Sequence, residues 1–163
     1  MKDWTEGEIR FLALDVLGER YRRYRLPDAA AETAMAGSLS RYGQLSPLAV
    51  CLRDEQPEVL DGFKRVAGSR TMSGIVSLQA RLVEVDEPTA KAIILGLNGI
   101  GGRMKELEEA WIVQALVRED GLSQIQVAEL LGRHKSWVCR RLALLERLPN
   151  PSLCQSSQPL FLG

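Results

Sequence analysis

At 163 residues, with 45% hydrophobic and 26% charged side chains, the chain has room for one ordinary domain or two small ones around a proper core. Its 21 basic side chains are balanced by 21 acidic ones, which argues against a general attraction to polyanions. No apolar run reaches the length of a membrane span and Met1-Lys2-Asp3-Trp4 lacks a signal-peptide core, so no membrane partner is expected.

Cys51, Cys139 and Cys154 form an odd, widely spaced set that makes no disulfide framework, which points to a reducing cytoplasm. His134 is the single histidine, five residues from Cys139 and so on another face of a helix. No cluster of Cys, His and carboxylates has zinc spacing.

Residues 1 to 14 open with polar side chains and then alternate as Ile9-Arg10-Phe11-Leu12, which predicts a first strand. The run Arg20 to Arg25 (RYRRYR) reads as a solvated loop whose arginine stems cover apolar surface, or alternatively as a second nucleic-acid contact. Asp28 is placed to cap a helix that buries Met35, Leu39 and Tyr42 and stops at Gly43.

Pro47 to Leu52 and Glu58 to Asp61 predict two short strands, the second feeding into Gly62-Phe63-Lys64-Arg65. A strand, a glycine and a helix start make an anion site, because free N–H groups and the helix dipole favour negative charge. Lys64 and Arg65 would add charge-assisted bonds, although an ordinary strand-to-helix turn has the same outline. Val76 to Val85 alternates as a half-buried strand with Val76, Leu78, Ala80 and Leu82 inward.

Pro88 begins a helix with Ala90, Ile93, Ile94 and Leu97 on one apolar face, and 98 to 102 (NGIGG) form a hinge. From Lys105 a helix runs to about Glu119, with Glu106, Glu108 and Glu109 in its first turn and Leu107, Trp111 and Ala115 sharing a face. Between Gly121 and Leu148, two short helices flank Gly132, with Ser123 as N-cap and Ala128 as the small crossing residue. The second is basic: Arg133, Lys135, Arg140, Arg141 and Arg147 stand against the single acid Glu146. The pattern fits a DNA-binding helix-turn-helix, or else a helical hairpin that packs in the core with its charges solvated. The candidate DNA contacts are Gln124, Arg133, Lys135, Ser136, Arg140 and Arg141. The Pro-, Ser- and Gln-rich tail, 149–163, is expected to be disordered.

The order of these motifs resembles the ParB family of chromosome and plasmid partition proteins over roughly Glu8 to Leu148. Met35 to Gly43 is similar to the family's "LAxSIxxxG" helix end, and Gln44 to Val50 to its "xxQPIxV" strand. Leu60 to Arg65 resembles the "xxGERR" phosphate turn, Asn98 falls at "ENxxR", and Leu107 to Ala110 resembles "PxEEA". The resemblance implies an α+β chain: a small mixed-sheet ParB/sulfiredoxin-like domain over 1–98, then an all-α helix-turn-helix domain over 103–148. Sulfiredoxins need a Cys in the glycine turn, which is absent here.

By resemblance, the N-terminal part would bind CTP with magnesium, with Gly62, Lys64 and Arg65 on phosphates, Gln44 and Pro47 near the base, and Asn98 helping to hold the metal. The partner would be double-stranded DNA, and the site of action the cytoplasmic nucleoid. With no C-terminal dimerisation segment in the sequence, the free chain is expected to be a monomer that dimerises at most on DNA. Two departures bear on catalysis: Phe63 stands where the family has Glu, and Leu97 replaces the Glu of "ENxxR". Neither side chain positions water or metal, so CTP binding with little or no turnover is expected and no catalytic residue is named. The alternatives are a CTP-hydrolysing or phosphoryl-transferring enzyme of the same fold, and a truncated relative acting through protein contacts alone.

Overall fold

The computed structural model describes residues 7–99 and 102–148; the expected tail, 149–163, lies outside them. Four strands form one mixed sheet in the order β1-β4-β2-β3: β1 (Ile9–Ala13), β2 (Leu48–Arg53), β3 (Gln56–Asp61) and β4 (Ser77–Val83). β4 runs antiparallel to β1 and parallel to β2, and β2 and β3 make an antiparallel hairpin. The parallel register puts Leu48 beside Ala80 and Val50 beside Leu82, so alternate positions of β2 and β4 supply a common apolar face. The hairpin turns on Asp54 and Glu55, both at positive φ (50° and 64°), the pair of dihedrals a two-residue turn requires.

The helices are α1 (Ala29–Tyr42), α2 (Phe63–Arg70), α3 (Glu87–Gly99), α4 (Glu106–Arg118), α5 (Gln124–Leu131) and α6 (Lys135–Arg147). Asp28 caps α1 by accepting from the Ala31 N–H at 3.0 Å, and Gly43 ends it at φ 70°. α1 and α2 cross closely because Gly68 has no side chain: a Cβ there would lie 3.1 Å from the Ala36 nitrogen. One apolar cluster runs from Leu17 and Tyr21 through the sheet (Leu48, Val50, Val59) to Ile112 and Leu116 on α4 and Val127 and Val138 on α5 and α6.

Several burial expectations are corrected. Tyr42 is 66% exposed, and on α1 Leu39 alone is buried. Val76 precedes β4 and is exposed, as is Leu97, whose place in the core is taken by Leu95 and Asn98. On α4, Leu107 and Trp111 are only half-buried whereas Glu108 and Glu109 are buried. The helix is turned this way because each carboxylate meets donors inside: Glu108 accepts from the Leu26 and Lys105 N–H groups, and Glu109 from Arg141. The segment Arg20–Tyr24, expected as a loop, is a 3₁₀ helix with Tyr21 and Tyr24 buried and stacked, rings 6.5 Å apart.

Candidate functional site

Two regions carry the site residues named from sequence. The first is a cleft of 820 Å³ between α1, the glycine turn at the start of α2, the 3₁₀ segment and the approach to α4. Gly62 occupies the left-handed region at φ 108°, and a Cβ there would meet Leu48 Cδ2 at 2.3 Å, so only glycine fits the turn. No side chain caps α2, which leaves the N–H groups of its first turn facing the cleft.

Gly62, Lys64, Arg65 and Asn98 line this cleft together; Gln44 and Pro47 are not among its lining. Gln44 is spent elsewhere: its amide donates to Gln79 O at 2.7 Å and accepts from Gln79 N at 2.7 Å, standing in for a strand residue beside β4. Arg65 is also largely spent. It donates to Ser46 O (2.6 Å), Ser46 Oγ (3.1 Å) and Pro47 O (3.3 Å), and pairs with Asp61 at 3.1 Å. Burial outweighs Asp61 and pulls Arg65 below the usual guanidinium value. Arg65 therefore braces the 43–47 loop, while Lys64, 3.9 Å from Asp28 and half-exposed, stays available to a ligand.

The cleft also gathers Arg22, Arg25, Arg103 and Lys105, which the sequence reading did not select. Arg22 pairs with Glu32 at 2.7 Å. Arg25 lies 3.6 Å from Glu108 and donates to Arg103 O at 3.1 Å. Arg103 and Lys105 make no ion pair among the described residues. The signal for Arg22 and Arg25 was their spacing of three against the inward Tyr21 and Tyr24, since a 3₁₀ turn stacks residues i and i+3.

The lining suits an anion better than a divalent cation. Each lining carboxylate is already met: Asp28 by Ala31 N, Glu32 by Arg22, Asp61 by Arg65, and Glu108 by Leu26 N and Lys105 N. Asn98 donates to Ile94 O at 2.8 Å and offers a cation at most its one amide oxygen. Magnesium prefers one or two carboxylates beside phosphate oxygens, so these residues do not fit a protein-held metal. No cluster of three metal-ligating side chains occurs among the described residues.

The second region is α5, the turn at Gly132 and α6. Ser123 and Gln126 form a reciprocal cap: the Ser123 hydroxyl accepts from Gln126 N at 3.2 Å, and Ser123 N donates to Gln126 Oε1 at 2.9 Å. Gly132 turns the chain at φ 62°, and His134 caps α6 by accepting from Ser136 N. Buried Val127, Ala128 and Val138 lock the two helices.

Arg133, Lys135, Ser136 and Arg140 are exposed, and Gln124 half-exposed, on the outer side. Arg141 is not among them. It turns inward to Glu109 (2.7 Å) and Glu106 (3.4 Å) and lies over the Trp137 ring at 4.9 Å. With its charge answered and its side chain 14% exposed, Arg141 holds α6 to α4 and lies away from the exposed face on which a DNA contact was expected. Cys139, unselected from sequence, sits on the exposed side and hydrogen-bonds Gln124 Oε1 at 3.0 Å.

The sheet, the glycine turn and the trailing helices define an α+β fold of the ParB N-terminal type. The truncated Caulobacter crescentus chromosome-partitioning protein ParB shares it: its complex with CTP-gamma-S matches 91% of this chain and 83% of that one, at 20% identity and TM-score 0.53. Its complex with the centromeric parS site matches 90% and 76%, at 19% identity and TM-score 0.54. Among curated proteins, the probable chromosome-partitioning protein ParB of Xylella fastidiosa is 30% identical over 78% of this chain and 41% of its own length. That of Pseudomonas putida is 28% identical over 86% and 49%. No protein-family model matches. The chain belongs to the ParB family, and it spans about half the length, or less, of these curated relatives.

Proposed function

We propose that this chain binds duplex DNA through a helix-turn-helix formed by α5 and α6, as a ParB-like partition or transcription-regulatory protein. We further propose that CTP, or a nucleotide equally rich in phosphate, binds the cleft without metal-dependent turnover and modulates DNA binding. In this reading the chain works in two parts: 1–98 carries the sheet and most of the cleft, and 103–148 the DNA-reading helices. The carrying observation is the outer face of the Gly132 turn and α6, where Arg133, Lys135 and Arg140 make no ion pair among the described residues of an otherwise charge-balanced protein.

Three available cations neutralise about three phosphates, which gives a log–log salt slope of about −2.7. Fluorescence anisotropy with labelled duplex between about 50 and 200 mM salt measures it. A slope near zero would remove the DNA reading. Repeating the titration with CTP, and with UTP as comparison, tests the cleft. Calorimetry that detects no nucleotide heat, with or without DNA, would reduce the glycine turn to a structural joint. Steady phosphate release would favour the enzyme alternative, and would do so although each carboxylate lining the cleft is already met among the described residues.

A further inference from the structure

The charges lining the cleft do not balance. Six basic side chains line it against four acidic ones, in a protein whose totals are equal. Each of the four carboxylates is met by a backbone N–H or an arginine. The surplus falls to Arg103 and Lys105 on the approach to α4, both exposed and neither in an ion pair among the described residues. Next to them, Arg25 donates to Arg103 O at 3.1 Å through Nη2, while its buried Nη1 makes no hydrogen bond, with Glu108 3.6 Å away.

A magnesium ion on a nucleotide neutralises part of the phosphate charge and occupies phosphate oxygens, and a protein holds it through carboxylates. Here the carboxylates are committed, and cations stand where a metal site needs anions. Arg103 and Lys105 together bring the same charge as one divalent ion, fixed to the wall. Without a metal, the phosphate oxygens are also left open to the N–H groups of the first turn of α2 and to Lys64. We infer that the cleft takes its nucleotide as the metal-free polyphosphate, with Arg103 and Lys105 supplying the charge that magnesium would otherwise supply. This rests on the nucleotide reading of the cleft and names the form of its ligand.

The test is calorimetry of the full chain with CTP, once in EDTA and once in excess magnesium, with and without duplex DNA. Native protein should bind in EDTA at least as tightly as in magnesium. Arg103→Gln with Lys105→Gln changes only exposed positions, and thermal melting checks that the fold is kept. Its metal-free affinity should fall about tenfold, roughly threefold for each exposed charge contact. Magnesium should relieve that loss, because the metal then provides the missing charge. Arg118→Gln with Arg147→Gln removes the same charge from exposed positions outside the cleft, and should leave the affinity within about twofold of native.

Native binding that appears only with magnesium would overturn the inference and leave the nucleotide reading standing. A double variant at 103 and 105 that binds metal-free CTP as tightly as native would do the same. So would a loss that magnesium does not relieve, since the side chains would then not stand in for its charge, and so would an equal loss in the control at 118 and 147. Absence of CTP binding in every condition removes the nucleotide reading, and the inference with it.

Discussion

The cleft and the outer face of α6 both gather basic residues near a turn glycine, yet the fold answers their charges to different extents. In the cleft, Arg22 and Arg25 are met by carboxylates on other elements, and Arg65 by Asp61 four residues before it. Arg141 on α6 is answered in the same way, while Arg133 before the helix and Lys135 and Arg140 on it meet no carboxylate among the described residues. A charge that has found a partner holds the fold together, and one that has not is free for a ligand. Counting basic residues along a helix cannot separate the two, because most of the partners, such as Glu32, Glu108 and Glu109, arrive from other elements.

The sharpest way to break this contrast is to remove Arg140 and Arg141 one at a time. Arg141→Ala leaves Glu109 buried with no cation and strips one guanidinium from the Trp137 ring. Breaking a largely buried pair from one side costs about 3 kcal/mol, which should lower the denaturant midpoint while leaving the DNA salt slope intact. Arg140→Ala should do the reverse: stability within about 0.5 kcal/mol of native, but weaker DNA binding and a slope shallower by about 0.9. Equal effects of the two changes on binding would mean that Arg141 reaches DNA after all.

The same logic says which parts of the molecule could be read from sequence. The strands, the caps at Asp28 and Ser123 and the stops at Gly43 and Gly132 were legible, because they depend on neighbours within four residues. The glycine turn was legible too, since strand, glycine and helix are consecutive. What could not be read was the use of each charge. Glu109 and Arg141 are 32 residues apart, and Glu108 and Leu26 are 82 apart. First-turn acids on α4 suit the helix dipole as exposed groups equally well, so nothing local announced their burial. Gln44 was assigned a place near a base because its motif resembles the family's, whereas its amide serves β4.

A second, smaller separation should appear within the glycine turn. Arg65→Ala removes the brace on Ser46, Pro47 and Asp61, and should cost about 2 kcal/mol through hydrogen bonds from a half-buried cation. Its effect on nucleotide affinity should be secondary to that loss of order. Lys64→Ala should leave thermal stability unchanged and weaken CTP binding about tenfold, the worth of one charge-assisted bond. If Arg65→Ala keeps native stability and abolishes binding, its guanidinium swings to the ligand and the cleft rearranges on occupation.

Freeing a spent charge should act in the opposite direction. Glu32→Gln leaves Arg22 without its 2.7 Å partner in the cleft wall. Both side chains are about one-third exposed, so the pair adds little to stability and its loss should be barely measurable by denaturation. Arg22 then keeps only Glu19 at 3.5 Å, and its freer guanidinium should tighten CTP binding about threefold, as expected of a part-exposed charge contact worth about 0.6 kcal/mol. Calorimetry that finds weaker binding would mean that the Arg22–Glu32 pair orders the wall and is needed as it stands.

The smallest expected effect lies away from both regions, at Glu87 on α3, and it calibrates what an answered charge contributes. Burial would raise the Glu87 carboxyl, but the Tyr21 hydroxyl at 2.9 Å and Arg53 Nε at 3.0 Å outweigh it, with Arg20 at 3.1 Å and Lys91 adding charge. The folded value therefore lies below the ordinary carboxylate value. A depressed carboxyl contributes stability that is present above the unfolded value and lost as pH falls through the folded one. Native protein should thus lose denaturant resistance below about pH 4.5, partly through this group. Glu87→Gln should be less stable than native at neutral pH, and the gap should close as pH falls through that window. Because the side chain is 36% exposed, the gap is expected to be small. A gap that persists unchanged once acid has protonated the native carboxyl would assign the role of Glu87 to packing instead of charge.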